Sequence, residues 1–144
     1  DSAREIARVG VSGAPLGASI WLRSPSWFWA DIVARAGIVA PAGERLPPEK
    51  DFARTAAGFE SMLTDGGWQS TGVEEVTWIW RAAPSVLWAS AEGGVASAGS
   101  LYRGLSGEDR ALFRHTFDEV CAEYAVDGLV PLEHTAAVAV GRAL

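Results

Sequence analysis

The fold is decided by two adjoining segments near the start of the chain, Ser2-Ala3-Arg4-Glu5-Ile6-Ala7-Arg8-Val9 and Leu16-Gly17-Ala18-Ser19-Ile20-Trp21. The first predicts an amphipathic helix, because Ile6 and Val9 share one face. The second, extended to Leu22, is short and apolar on both faces, which is typical of a strand covered on both sides in a mostly parallel sheet. A helix that leads into a buried strand indicates an α/β fold.

The rest of the chain alternates helical and extended patterns. Helices are predicted over residues 27–36, from Thr55 to a stop at residues 66–67, and over residues 107–126, with strands over residues 68–81 and 135–142. Pro84 fits the first turn of a short helix, and Gly93-Gly94 with Gly99 should break the next segment into loose helical pieces. Residues 38–50 are rich in Pro and Gly and predict a connection.

The helix over residues 107–126 has the clearest buried face. Ser106 and Asp109 predict a capped start for it. An apolar stripe follows at helical spacing, formed by Phe113, Phe117, Val120, Cys121 and Tyr124. We therefore expect this helix to supply much of a hydrophobic core.

Three segments in this order resemble a class I S-adenosylmethionine-dependent methyltransferase of the small-molecule, type 11-like kind. Residues 4–16 align without gaps with the family's helix "L-R-E-I-A-R-V-L-R-P-G-G". Residues 10–14 differ from the "L-R-P-G-G" with which that segment usually ends. Residues 51–68 resemble the family's helix that leads into the sixth strand. Gly141-Arg142 closes the last strand as "A-x-G-R" does in many members. The resemblance covers nearly the whole chain.

The resemblance implies a partial Rossmann-like fold over a single domain, residues 1–144. Its three-stranded mixed sheet would correspond to the fifth, seventh and sixth strands of the family, with flanking helices and the seventh strand antiparallel between the other two. The family's glycine-rich cofactor loop and ribose-binding acid precede this part. We therefore expect the C-terminal part of a methyltransferase domain, without its cofactor-binding half.

The implied function is acceptor binding for methyl transfer from S-adenosylmethionine to a small, largely apolar molecule. S-adenosylmethionine belongs to the parent protein in this interpretation, and the chain alone should bind no cofactor and be inactive. No catalytic residue is assigned. The alternative is a stand-alone ligand-binding or dimerisation module that derives from such a half.

Four aromatic residues are candidates for the substrate pocket. Trp21 ends the first strand, and ligands of open α/β sheets bind beyond the carboxyl ends of strands. Trp27 follows directly. Trp88 and Tyr102 lie between the last two strands, in a segment that caps the substrate pocket of the resembling enzymes. Core packing is the alternative for each of them.

The other chemically active side chains favour structural roles. His115 and His134 are the two histidines, and a structural role is favoured for both, because a histidine acts as a base only when another group orients it. Cys121 lies in the apolar stripe and predicts a core thiol. Glu74-Glu75 predicts a solvated surface. With one cysteine and no His/Cys cluster, we expect no metal site.

Composition limits the partners. The chain has 144 residues, a formal net charge of -6 and a sequence pI near 4.8, which argues against nucleic acid. The longest apolar runs fall short of the ~20 residues of a membrane span. A single cysteine fits a reducing cytoplasm.

The strand over residues 16–22 should keep an unpaired edge, so we expect a homodimer. Trp78 and Trp80 are further candidates for an intermolecular surface.

Overall fold

The computed structural model of the protein describes residues 2–41, 47–48 and 51–144. The predicted connection over residues 38–50 lies partly outside these. In chain order the elements are α1 (Ser2–Val9), β1 (Pro15–Arg23), α2 (Ser26–Arg35), α3 (Ala56–Asp65), β2 (Trp68–Ala82), α4 (Pro84–Glu92), α5 (Ala96–Gly104), α6 (Gly107–Tyr124) and β3 (Val130–Ala143). The predicted α/β class is confirmed.

The helix starts follow local chemistry. Thr55 caps α3, because its hydroxyl accepts a hydrogen bond from the Gly58 backbone N–H at 3.0 Å. Ser106 caps α6 by accepting from the Asp109 N–H at 3.1 Å, and its hydroxyl donates to the Asp109 carboxylate at 2.8 Å. Pro84 occupies the first turn of α4, where its missing N–H costs nothing. All three predicted starts are confirmed.

The strand order in the sheet is β1-β3-β2. The last strand in sequence is therefore central, as the resemblance implied. β1 pairs antiparallel with β3, in a register that runs from Pro15 opposite Arg142 to Trp21 opposite Ala136. The expected mixed sheet is wrong, because neighbouring strands are antiparallel. Outside these three strands, an isolated antiparallel bridge joins Val126 to Leu129 just before β3.

The described residues divide into two compact units. The first contains residues 2–24, 47–48, 51–78 and 134–144, and the second contains residues 25–41 and 79–133. The boundary falls within β2 and within β3. The single domain over residues 1–144 stays a prediction.

In the first unit, α1 and α3 cover one face of the sheet. Phe59 and Leu63 of α3 are buried there with Trp68, whose indole N–H donates to the Ala3 carbonyl at 2.8 Å. The half-buried side chains of β1 on this face pack against that core and are Leu16, Ala18, Ile20 and Leu22. A single layer of helices thus protects this side of the sheet.

Two expectations about the opening segments are wrong. Ile6 and Val9 of α1 are 52% and 67% exposed, and the small Ala3 and Ala7 face the core instead. Gly66, in the turn after α3, lies so close to Ala3 that even a methyl group at Gly66 would clash with it. The space between α1 and this turn therefore admits only small side chains. β1 is covered on one face and not on both, since its burial alternates strictly along the strand.

The core of the second unit is aromatic. Phe28 of α2 and Phe113 and Phe117 of α6 are fully buried. The predicted stripe of α6 is confirmed, with Tyr124 half-buried at its end. Gly99 does not break a helix. It lies buried inside α5, where a side chain would clash with the backbone of Gly94.

Candidate functional site

An apolar face of the sheet in the first unit is open to solvent. Cross-strand partners in an antiparallel pair share a face, so Ser19 lies beside Val138 and Gly17 beside Val140, on the side away from α1 and α3. The apolar side chains exposed there are Trp21, Val76, Trp78, Val138 and Val140. Contiguous exposed apolar surface of this kind marks a binding or interaction site.

Three rings form the centre of this face, which we call the aromatic cluster: Trp21, Trp78 and His134. The His134 imidazole stacks on Trp78 at 5.4 Å between ring centroids and 12° between planes. Trp21 is tilted against both, at 5.6 Å from Trp78 and 5.4 Å from His134. Trp21 is 55% exposed and Trp78 39% exposed. One side of the cluster is therefore available to a second molecule.

A shallow depression of about 350 Å³ lies beside the cluster. Its lining includes Ser19, Trp21, Val76, Trp78, Ala136 and Val138. None of the lining residues is charged, and only Ser19 brings a side-chain hydroxyl. The three rings touch one another, so a planar group can lie over them but not between them. The depression is therefore suited to binding an apolar surface.

The predicted pocket residues fall in different units. Trp21 belongs to the aromatic cluster of the first unit. In the second unit, Trp88 and Tyr102 meet at 5.1 Å with their rings nearly perpendicular, and Trp88 is only 9% exposed. Trp27 is 43% exposed and lies against Tyr124 at 5.0 Å. The structure thus brings Trp88 and Tyr102 together within a packed aromatic core.

Arginines cover the outer side of that pair. The Arg114 guanidinium lies 4.3 Å from the centre of the Trp88 ring and pairs with Asp118 at 2.9 Å, which raises the pKa of Arg114. Arg110 lies over the Tyr102 ring and donates to the carbonyls of Tyr102 and Arg103 at the end of α5. These cations fasten α6 to α5 and α4.

The remaining candidates take the structural roles that the sequence favoured. His115 pairs with Glu119 at 3.3 Å on the exposed side of α6. Cys121 is buried, and desolvation raises the pKa of its thiol to about 11, which disfavours the nucleophilic thiolate. Among the described residues, no group of three or more His, Cys, Asp and Glu side chains could hold a metal ion.

Sequence reasoning gave His134 only a structural role and did not place Trp78 beside Trp21. The alternation of side chains placed Trp78 on one face of its strand, but it did not show which residue of a neighbouring strand lies beside it. Only the strand order, with β3 central, brings these side chains from three strands together.

Comparison of the sequence with models of known protein families, and with characterised proteins, gives no match. Within the part of the chain that the structure describes, no helix is both long enough and apolar enough to cross a membrane.

Proposed function

We propose that this chain is the acceptor-side, C-terminal part of an S-adenosylmethionine-dependent methyltransferase domain that acts on a small, largely apolar molecule. One observation carries the proposal: the last strand in sequence, β3, lies between β1 and β2 and runs antiparallel to β1. A strand that returns to the middle of the sheet is the arrangement implied by the sequence resemblance.

The open face fits this proposal. In a complete Rossmann-like domain, whose sheet is mostly parallel, both faces are covered by helices, whereas here α1 and α3 cover one face and leave Trp21, Trp78 and Val138 exposed on the other. A cofactor-binding half would supply the missing cover and a strand beside β1. The acceptor would then bind against the aromatic side chains.

The cofactor itself does not fit the residues described. No carboxylate lines the depression beside the aromatic cluster, so nothing there could hold the ribose hydroxyls of S-adenosylmethionine. Gly93-Gly94 forms a turn between α4 and α5, without the strand that precedes a phosphate- or nucleoside-binding loop. We assign S-adenosylmethionine to the other half of the domain and derive no chemical step from this chain.

Calorimetric titration with S-adenosylmethionine and S-adenosylhomocysteine tests the proposal. The chain alone should show no binding at micromolar ligand, while a longer protein in which a cofactor-binding half precedes this chain should bind both. Micromolar binding by the chain alone contradicts the division of roles. A longer protein without binding refutes the methyltransferase assignment.

The aromatic cluster favours a second candidate, a stand-alone module that binds an apolar ligand. Anilinonaphthalene sulfonate is a suitable fluorescent probe, because it reports on exposed apolar surface. Under this function Trp21→Ala should weaken probe binding, while Trp27→Ala, at a comparably exposed indole of the second unit, should not. Equal effects of the two changes refute a site at the cluster.

A further inference from the structure

β1 directs half of its backbone groups away from the sheet. The register that places Pro15 opposite Arg142 places Ala14 opposite Ala143, and the Ala143 N–H donates to the Ala14 carbonyl at 2.9 Å. The Ala143 carbonyl accepts from the Gly13 N–H at 3.0 Å, so Gly13 and Ala14 form a bulge at the start of the ladder. Beyond the bulge, hydrogen-bonded pairs recur at every second residue in phase with the Ala143 N–H bond to Ala14. Even-numbered residues of β1 therefore bond to β3. The N–H and C=O groups of Gly17, Ser19 and Trp21 point outward.

The middle of β1, from Leu16 to Trp21, lacks the features that keep edge strands from pairing, whereas Pro15, Arg23 and a register shift between Trp21 and Arg23 lie at its ends. Proteins protect such edges with charged side chains, proline or a bulge. β2, at the other end of the described strand order, carries Glu74, Glu75 and Arg81. In β1 the seven residues from Leu16 to Leu22 are all uncharged, and none of them is buried. Of the two edges, and among the residues that the structure describes, β1 is the one open to another strand.

We propose that a second copy of this chain pairs with β1, antiparallel and about a two-fold axis at Ser19. In this register Ser19 faces Ser19 of the second copy, and Gly17 faces Trp21. These residues are the ones whose backbone groups point outward, so the pairing is compatible with the existing ladder. Registers centred on Ala18 or Ile20 also satisfy that condition, and side-chain size decides among the three.

The register at Ser19 combines small with large side chains. The Trp21 indole, 55% exposed, can lie over Gly17 of the second copy, which has no side chain in its way. On the other face Ala18 lies opposite Ile20, and Leu16 opposite Leu22. An aromatic ring over a cross-strand glycine fills space that glycine leaves empty. This shape match is what selects the register centred on Ser19.

The resulting interface is modest in size. Outward N–H and C=O groups at Gly17, Ser19 and Trp21 give about six backbone hydrogen bonds across the axis. The apolar area added is small beside the roughly 1,200–2,000 Å² of a standard interface, because the open faces lie side by side and remain exposed. Each copy carries a net charge of -6. We therefore expect a micromolar dimer that weakens at low salt.

Sedimentation equilibrium, from low micromolar to several hundred micromolar protein, tests the pairing. Ser19→Pro removes only an outward N–H, so β1 keeps its bonds to β3 while the dimer should weaken by at least about tenfold. Ser19→Lys should weaken it too, because two ammonium groups meet at the axis. Val76→Lys places the same charge on β2 of the open face and should leave the dimer intact. Circular dichroism confirms that each variant is folded.

Hydrogen exchange provides a readout by residue. The amides of Gly17, Ser19 and Trp21 should exchange fast in dilute protein and slowly in concentrated protein, while those of Ala18 and Ile20 stay slow at both. A monomer at several hundred micromolar overturns the proposal, and so does a dimer that both Ser19 variants leave unchanged. None of these measurements involves S-adenosylmethionine, so they succeed or fail separately from the methyltransferase proposal.

Discussion

Replacing Phe117 by alanine should remove a central part of the second unit's core. The Phe117 side chain is fully buried, and its ring lies 5.2 Å from Trp88, 5.8 Å from Trp29 and 6.0 Å from Phe28. These three rings come from two helices and cannot all move into the space left. When the surrounding side chains cannot collapse into the cavity, replacing a buried Phe by Ala lowers the free energy of unfolding by about 3–5 kcal/mol. Domains of this size have a free energy of unfolding of only about 5–15 kcal/mol.

Urea denaturation followed by circular dichroism measures this cost. Leu112→Ala is the matched control, because Leu112 lies on the same helix and is 44% exposed. It should change the free energy of unfolding by less than about 1 kcal/mol. Equal effects of the two changes would show that α6 does not bury the face that carries Phe117, and the account of the core would be wrong.

Three further changes test other parts of the structure. Burial raises the pKa of the Cys121 thiol to about 11, so the unfolded state loses this proton at a lower pH than the folded state. The free energy of unfolding should therefore fall by about 2–3 kcal/mol as the pH rises from about 9 to 11. Denaturation of Cys121→Ala at each pH should not show this loss. Gly99→Ala should lower the free energy of unfolding by about 1–3 kcal/mol, because its methyl group meets the Gly94 backbone, whereas Gly107→Ala, which has open space, should not. Thr55→Ala removes the α3 cap and should cost about 1 kcal/mol in the same denaturation assay.

Features that depend on local chemistry could be predicted from the sequence. The caps at Thr55 and Ser106 and the start at Pro84 each need only a few neighbouring residues. The stripe that contains Phe117 was predictable because five large side chains at helical spacing leave one choice of buried face. Local patterns of this kind do not depend on the path of the rest of the chain.

Features that depend on the partners of a segment could not be predicted in this way. In α1, Ile6 and Val9 were expected to form the apolar face, but the side towards the core holds the small Ala3, which lies against Gly66, and Ala7, which lies against Gly67. β1 is apolar at nearly every position, so its sequence does not reveal which face is covered. The contact of Trp21 with His134 likewise follows from strand pairing and not from composition.

The methyltransferase proposal and the dimer make competing demands on β1. A strand edge has one row of outward N–H and C=O groups. At Gly17, Ser19 and Trp21 that row can bond either to a strand of the proposed cofactor-binding half or to a second copy, but not to both. A longer protein that folds with its own strand beside β1 should therefore be monomeric at concentrations where this chain dimerises. Sedimentation of the two proteins under one condition makes the comparison. If both proteins dimerise and Ser19→Pro dissociates both, then β1 pairs with β1 of a second copy in the longer protein as well. The strand order that supports the methyltransferase proposal must then be explained in another way.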